Sequence, residues 1–242
     1  MRRLLGSRRQ VLRETLYPGG VEPADSIRDD LPRTDQIGKL LTTLWEGKGP
    51  VVSGPEEIDA VGHRVAHGGV PFDSAVLVDD QIEGAIQRWA AFAPLHNENC
   101  LDGIQAAKKN LGAKVPQIAV FDTAFHRTLS DVASTYAGPY DWLNKGIRRY
   151  GFHGILFRWA SGRTARVLGG KSGPTLRLIL CHLSGGCSLA ATVGWKSVDT
   201  TMGLTPLDGI AMCTRSGSID PGILLYLERK GAGARGNGEN VE

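Results

Sequence analysis

Apolar residues recur at helical spacing in some stretches of the chain and cluster as short runs in others. Ile37, Leu40, Leu41 and Leu44 follow Asp35 at helical spacing and predict a helix over 35–46. Ile58–Ala66 reads as a strand running into a Gly68-Gly69 turn. Asp79 or Asp80 is placed to cap the next helix, where Ile82, Ala85, Ile86 and Trp89 fall at i, i+3, i+4 and i+7. Leu101, Ile104 and Leu111 mark another helix, closed by Gly112. Gln117–Phe121 is a short apolar strand with Asp122 at its C-terminal end, where α/β proteins gather ligands. Ile155–Leu168 reads as a helix weakened by Gly162. Leu176–Leu183 reads as a buried strand, and Ser188–Val193 with Lys196–Thr200 as a hairpin around Gly194-Trp195. Mixed strands and helices predict an α/β fold.

The ends are different in character. Residues 15–34 are rich in Pro, Gly and Asp and show no period, and the Gly-rich polar stretch 231–242 is expected to be disordered. Arg2, Arg3, Arg8, Arg9 and Arg13 face one acid, Glu14, in the first fourteen residues. This segment has no apolar core of a secretory signal, and an unstructured basic extension is favoured over an organellar transit peptide. A chain of 242 residues with 41% hydrophobic and 22% charged residues holds one large domain or two small ones. A net charge of +3 gives no argument for nucleic acid, and no apolar run reaches the length of a membrane span. Cys100, Cys181, Cys187 and Cys213 have no Cys-x-x-Cys spacing. They are expected to be buried or half-buried free thiols of a reducing cytosol.

Chemistry-bearing residues concentrate in islands that mix Gly with His, Arg and Asp. His63 and His67 are four apart, but a strand separates them too far to share one ion easily, so a metal pair is rejected. Arg64 precedes Gly68-Gly69, and Arg215 sits in Thr214-Arg215-Ser216-Gly217; guanidinium forks bind carboxylates and phosphates through paired hydrogen bonds. A surface ion pair is the bland alternative for either arginine, and the neighbouring glycines favour close approach of an anion. Asp122 reads as a metal-binding or orienting carboxylate, or as a cap for the segment after its strand. His96 reads as a loop histidine bonded to backbone. The His182-Leu183-Ser184-Gly185-Gly186 turn could cradle phosphate through backbone N–H groups, although strand-Gly-Gly turns are common. Neither a Walker A pattern nor a Gly-x-Gly-x-x-Gly fingerprint occurs.

Taken in order, Gly62–Gly69, Phe121–His126, Ile147–Gly154, Ser197–Gly209 and Thr214–Pro221 resemble the acetate kinase (acetokinase) family over roughly residues 35–228. That resemblance implies the acetate/sugar kinase–chaperone–actin superfamily fold, with two ribonuclease-H-like domains, here incomplete. It divides the chain into a partial acyl-substrate domain over 35–149 and a partial nucleotide domain over 150–228. Residues 1–34 and 229–242 are a divergent extension and a tail. The implied reaction is ATP plus acetate to ADP plus acetyl phosphate, with Mg²⁺, in the cytoplasm. Arg64 and Arg215 would hold the carboxylate and the phosphoryl group, Asp122 would be the active-site acid and His153 would stabilise the transition state. Ala66, Leu95, Phe152 and Pro206 would line the methyl pocket, and His182, Leu183, Ser184, Gly185 and Gly186 would bind the nucleotide phosphates. No residue is assigned to the metal. A carboxylate nucleophile needs no general base, so Asp122 is expected to orient a neighbour or act beside Mg²⁺ rather than accept a proton. A homodimer is a candidate assembly.

The sequence departs from the family pattern at both ends. The family's opening Gly-Ser-Ser-Ser-Leu-Lys phosphate loop, its adenosine loop and an acid that helps bind Mg²⁺ have no counterpart, which implies truncation at both ends. Ser184 and Gly185 replace Gly and Asn of the family's phosphate loop, Phe157 replaces a second His, and Ser218 replaces an Asp. Ala66 stands where Val is usual and widens the acyl pocket, which favours some tolerance for propionate. A truncated relative that binds a small carboxylate or a partner subunit, and a propionate kinase, are the alternatives. Loss of a central strand is expected to leave an unpaired sheet edge and a marginal chain.

Overall fold

A computed structural model describes residues 31–46, 50–169 and 175–231. The basic extension and the tail lie outside the described residues, apart from their inner ends. The first sheet has the order β1-β3-β2, from β1 (Val61–Val65), β2 (Val76–Leu77) and β3 (Gln117–Phe121). β1 runs parallel to β3 with Val61 opposite Gln117 and Val65 opposite Phe121; β2 is antiparallel to β3. A parallel pair needs a crossover, here supplied by α2 (Asp80–Trp89) and α3 (Pro94–Leu111). Asp79 caps α2 by accepting the Ile82 N–H at 2.8 Å, as the sequence predicts. α2 buries Ala85 and Ile86 against a core of Val65, Phe72, Ile104 and Phe121, in which Phe72 and Phe121 stack at 4.3 Å. α1 (Arg33–Thr42) lies against α3, and Lys109 pairs with Asp35 at 2.8 Å.

The second sheet is an antiparallel meander of β4 (Arg177–Leu183), β5 (Cys187–Val193) and β6 (Lys196–Thr200). α6 (Gly154–Val167) covers it, and Phe125, Phe157, Leu180 and Ala190 form a second core. Along the chain, short helices α4 (Asp131–Ser134) and α5 (Asp141–Asn144) come between β3 and α6, and α7 (Pro221–Arg229) follows the long loop after β6.

Several elements differ from the sequence prediction. α1 starts at Arg33 and ends at Thr42, where the Thr42 and Thr43 hydroxyls turn back onto the Lys39 and Leu40 carbonyls. β1 starts at Val61, since Pro55–Glu57 is a 3-10 turn. α3 begins at Pro94, whose missing N–H suits a first helical position. β4 is not a buried strand: Ile179 is 71% and Leu183 70% exposed at the sheet edge. α7 was not predicted, although Asp220 caps it by accepting the Gly222 N–H at 2.8 Å and Pro221 opens it. Leu224, Leu225 and Tyr226 are exposed on it. Cys100 and Cys187 are half-buried free thiols, whereas Cys181 and Cys213 are exposed.

Candidate functional site

The parallel register of β1 and β3 brings Arg64 and Asp122 to one end of the first sheet. Asp122 is 1% exposed, and its Oδ2 accepts from Arg64 Nε at 3.1 Å and Nη2 at 2.5 Å. Burial works against the guanidinium charge, but the hydrogen bond and charge of Asp122 outweigh it and raise the Arg64 pKa above its ordinary value. Asp122 is not a helix cap; its carboxylate orients an arginine. The Asp122 backbone carbonyl accepts from Gly154 N–H at 3.0 Å, tying the start of α6 to the end of β3. A Cβ on Gly154 would lie 2.0 Å from that carbonyl oxygen, so only glycine fits.

That contact fixes His153, the N-cap of α6. It adopts φ 59°, the only non-glycine positive φ among the described residues. His153 Nδ1 lies 2.8 Å from Ser188 Oγ on β5. Ser188 is buried, and its hydroxyl and His153 Nδ1 share this bond, with the direction set by the imidazole tautomer. Burial, then His182 and the arginines, lower the His153 pKa to about 4, so the ring is neutral at pH 7. The His182 ring sits 4.3 Å from the His153 ring.

The turn after β4 meets the same cluster. Leu183 pairs with Cys187, so Ser184–Gly186 forms the tight connection between antiparallel strands. Ser184 N–H bonds the Gly186 carbonyl at 3.3 Å, and Leu183, Ser184 and Gly185 are exposed. Gly186 packs so closely that an added Cβ would lie 3.0 Å from Arg215 Nη2 and 3.7 Å from His153 Cε1. Arg215 donates from Nε to the Pro206 carbonyl at 2.9 Å and from Nη1 to Thr214 Oγ1 at 3.2 Å. The long loop carrying both residues is held by Arg149, whose Nη1 donates to the carbonyls of Thr200, Thr201 and Met202 at 3.1–3.2 Å. Tyr136 Oη adds a bond from Leu204 N–H at 2.8 Å.

Ala66 and Phe152 are buried beside this cluster, whereas the Leu95 side chain lies outside the described residues. Gly68 and Gly69 serve packing rather than anion approach. Their missing side chains leave room for Phe121 and Trp89, and Gly69 adopts φ 65°. His67 is buried among Trp89, Phe92, Tyr150 and Phe152, with Nδ1 accepting from Gly69 N–H at 3.1 Å, and burial lowers its pKa to about 4. His63 Nε2 instead contacts Gln117 Oε1 at 2.5 Å.

Residues 27–240 match the Acetokinase family. The chain belongs to the acetokinase family. It is 52% identical over 198 residues to an acetate kinase of Gloeobacter violaceus, covering 82% of this chain and 49% of that protein. Among solved structures, the acetate kinase of Porphyromonas gingivalis is similar at a TM-score of 0.74 and 40% identity, covering 82% of this chain and 50% of that one. A propionate kinase of Francisella tularensis is similar at a TM-score of 0.69 and 43% identity, covering 73% and 45%. The chain spans about half the length of the curated relatives it matches. Its fold is the acetate/sugar kinase–chaperone–actin fold, present in part.

Two members of the cluster escape the sequence reading of this acetokinase-family chain. His96, taken as a loop histidine, stands in the first turn of α3. Burial, then the charges of Arg64 and Arg215, lower its pKa, which marks it as a neighbour of both arginines. Ser188 was hidden in a strand; its only signal is a hydroxyl on the inward face of β5, where Ser188, Ala190 and Thr192 are buried. No helix among the described residues is long and apolar enough to cross a membrane.

Proposed function

We propose that this chain forms the acyl side of an acetate kinase site and transfers the γ-phosphoryl group of ATP to a short carboxylate, with ADP leaving. The domain boundary is proposed near residue 150. The observation carrying this reading is the convergence of Arg64, His153, Arg215 and the Gly186 turn on one place, with Asp122 as the single carboxylate. An acetate oxygen already carries negative charge and attacks phosphorus without a base; the new O–P bond forms as the bond to the β-phosphate oxygen breaks. Arg64, held by Asp122, and Arg215, held by Pro206, are suited to grip the carboxylate and the transferring phosphoryl oxygens. Neutral His153 adds a hydrogen-bonding imidazole rather than a third positive charge.

Among the described residues no three His, Cys, Asp or Glu side chains gather as a metal cage. Asp122 Oδ1 has no hydrogen-bond partner among them and would be the carboxylate to help hold Mg²⁺ bound mainly by nucleotide phosphates, where the ion would neutralise phosphate charge. The buried, small Ala66 supports turnover of propionate beside acetate.

The test is a hydroxamate assay for acyl phosphate with purified chain, ATP, Mg²⁺ and either acid. Acyl phosphate that disappears with Arg64→Gln and Arg215→Gln is the expected result. No acyl phosphate, with acetate binding retained in calorimetry, would replace the enzymatic reading by a binding role.

A further inference from the structure

Residues 209–218 form a loop closed at its base by two side chains. Ser218 N–H donates to the Gly209 carbonyl at 2.8 Å, and the Ser218 hydroxyl accepts from Gly209 N–H at 3.0 Å. That hydroxyl in turn donates to Asp208 Oδ1 at 2.6 Å, and the same Oδ1 accepts from Gly209 N–H at 2.8 Å. Within the loop, Met212 N–H donates to the Arg215 carbonyl at 3.0 Å. The second carboxylate oxygen, Asp208 Oδ2, lies 3.8 Å from Arg149 Nη1, and Asp208 neighbours the Tyr136 hydroxyl. Arg149 and Tyr136 are the side chains that anchor the backbone of Thr200, Thr201, Met202 and Leu204. Asp208 therefore joins the anchored start of the long loop to the closed part that carries Arg215.

The Arg215 guanidinium is bonded only within this loop, to the Pro206 carbonyl and the Thr214 hydroxyl. No described sheet or helix holds it, so its place is as fixed as the loop itself. We propose that Asp208 is a positioning residue for Arg215, acting through the Ser218 hydroxyl and Gly209 N–H; this rests on the reading of Arg215 as a group that grips an anion. No hydrogen bond among the described residues joins Asp208 to Arg215, so the effect passes through the loop backbone. A charged acceptor makes both bonds at the base stronger than a neutral one would. Ser218 stands where the family pattern has Asp, and an ionised aspartate has no proton to donate to Asp208. This closure is accordingly a property of the present chain.

NMR of the full 242-residue chain tests this through the Arg215 Nε–H, bonded to Pro206, with the Arg64 Nε–H, held by Asp122, as internal reference. Asp208→Ala is expected to speed water exchange of the Arg215 Nε–H and the Met212 amide about tenfold or more, with Arg64 changed by less than about twofold. Asp208→Asn keeps an acceptor oxygen for Ser218 and Gly209 and is expected to return both rates to within about threefold of the parent chain. Ser218→Ala, at an exposed position, is expected to give a smaller gain in exchange than Asp208→Ala. Calorimetry is expected to show acetate bound about threefold or more weakly by Asp208→Ala and restored by Asp208→Asn. Unchanged Arg215 exchange in Asp208→Ala, an equal gain at Arg64, or Asp208→Asn exchanging as fast as Asp208→Ala each overturns the proposal. Acetate affinity lost in Arg215→Gln but untouched in Asp208→Ala overturns it too. Acetate affinity indifferent to Arg215→Gln refutes the anion-gripping reading of Arg215 instead.

Discussion

Gly154→Ala tests how tightly the position of His153 depends on one backbone contact. A Cβ at this residue lies 2.0 Å from the Asp122 carbonyl oxygen and 2.8 Å from Phe125 Cβ. Carbon and oxygen approach to about 3.3 Å even in favourable contacts, so α6 and the end of β3 must separate by roughly 1.3 Å. The Gly154 N–H to Asp122 carbonyl bond of 3.0 Å is then lost, at about 1 kcal/mol. Overpacking adds about 1–3 kcal/mol, and the better helix propensity of alanine returns at most about 1 kcal/mol. The net is about 2 kcal/mol of destabilisation, or a Tm lower by roughly 4–8 °C for a chain of this size. Gly162→Ala in the same helix is the control, because its Cβ meets only the Trp195 ring at an ordinary 3.6 Å. Propensity wins there, and the Tm is expected to rise by about 1–3 °C. Calorimetry of both variants gives the Tm, and NMR titration gives the His153 pKa, expected to move up from about 4 in Gly154→Ala as the ring leaves its buried place. In an active preparation a displacement of about 1 Å is expected to cost about a hundredfold in rate. Equal Tm values for the two variants, with the His153 pKa unmoved, would refute the reasoning.

Other consequences follow from buried groups and edges. Burial lowers the pKa of His67 and of His126 from 6.5 to about 4. The unfolded chain therefore binds more protons between these values, so stability is complete above pH 6.5 and falls as pH drops toward 4. At pH 5 the loss is about 2 kcal/mol for each histidine, and urea midpoints at pH 7.5 and 5 check it; an equal or higher midpoint at pH 5 contradicts the account. Arg149→Ala removes the donor to three carbonyls and is expected to speed amide exchange of Gly203 and Leu204 by at least about tenfold, measured by hydrogen–deuterium exchange. Ile179→Lys places a charge on the exposed edge of β4 and is expected to raise the soluble fraction without lowering the Tm; unchanged aggregation would place the sticky surface elsewhere.

Helices with a clear apolar face were legible because their period and caps lie within a few residues of each other. α2 is the example: its stripe and the Asp79 cap are both local. β3 with Asp122 at its end was equally plain. β4 was misread because an apolar run states that burial is wanted, not which element supplies it, and here Ile179 and Leu183 meet solvent. α7 was overlooked despite Asp220-Pro221, since its apolar residues form no single stripe against a core. In the site, residue types were legible and contacts were not. Arg64 and Asp122 lie 58 residues apart, His153 and Ser188 35 apart, and neither separation has a spacing rule. The Gly68-Gly69 pair was overread as chemistry; indole and phenyl rings occupy the room it leaves.

Charge bookkeeping in the cluster leads to a narrower view of its chemistry than the count of histidines suggests. Burial holds His153 neutral at pH 7, and burial with the two arginines pushes His96 in the same direction. Permanent charge therefore comes from Arg64, Arg215 and Asp122, a surplus of one positive charge. Asp122 spends its Oδ2 on Arg64, so the forks that remain free belong to Arg64 Nη1 and Arg215 Nη2. A single carboxylate would neutralise this surplus. A bound triphosphate would exceed it, and the further positive charge it needs has to come from its metal ion or from residues outside the described segments. The described residues are thus better matched to the acid than to the nucleotide. Acetate affinity is accordingly expected to be measurable without ATP and to weaken with added salt, since the arginines reach solvent and are open to screening. Affinity indifferent to ionic strength would place the acid in an uncharged pocket instead.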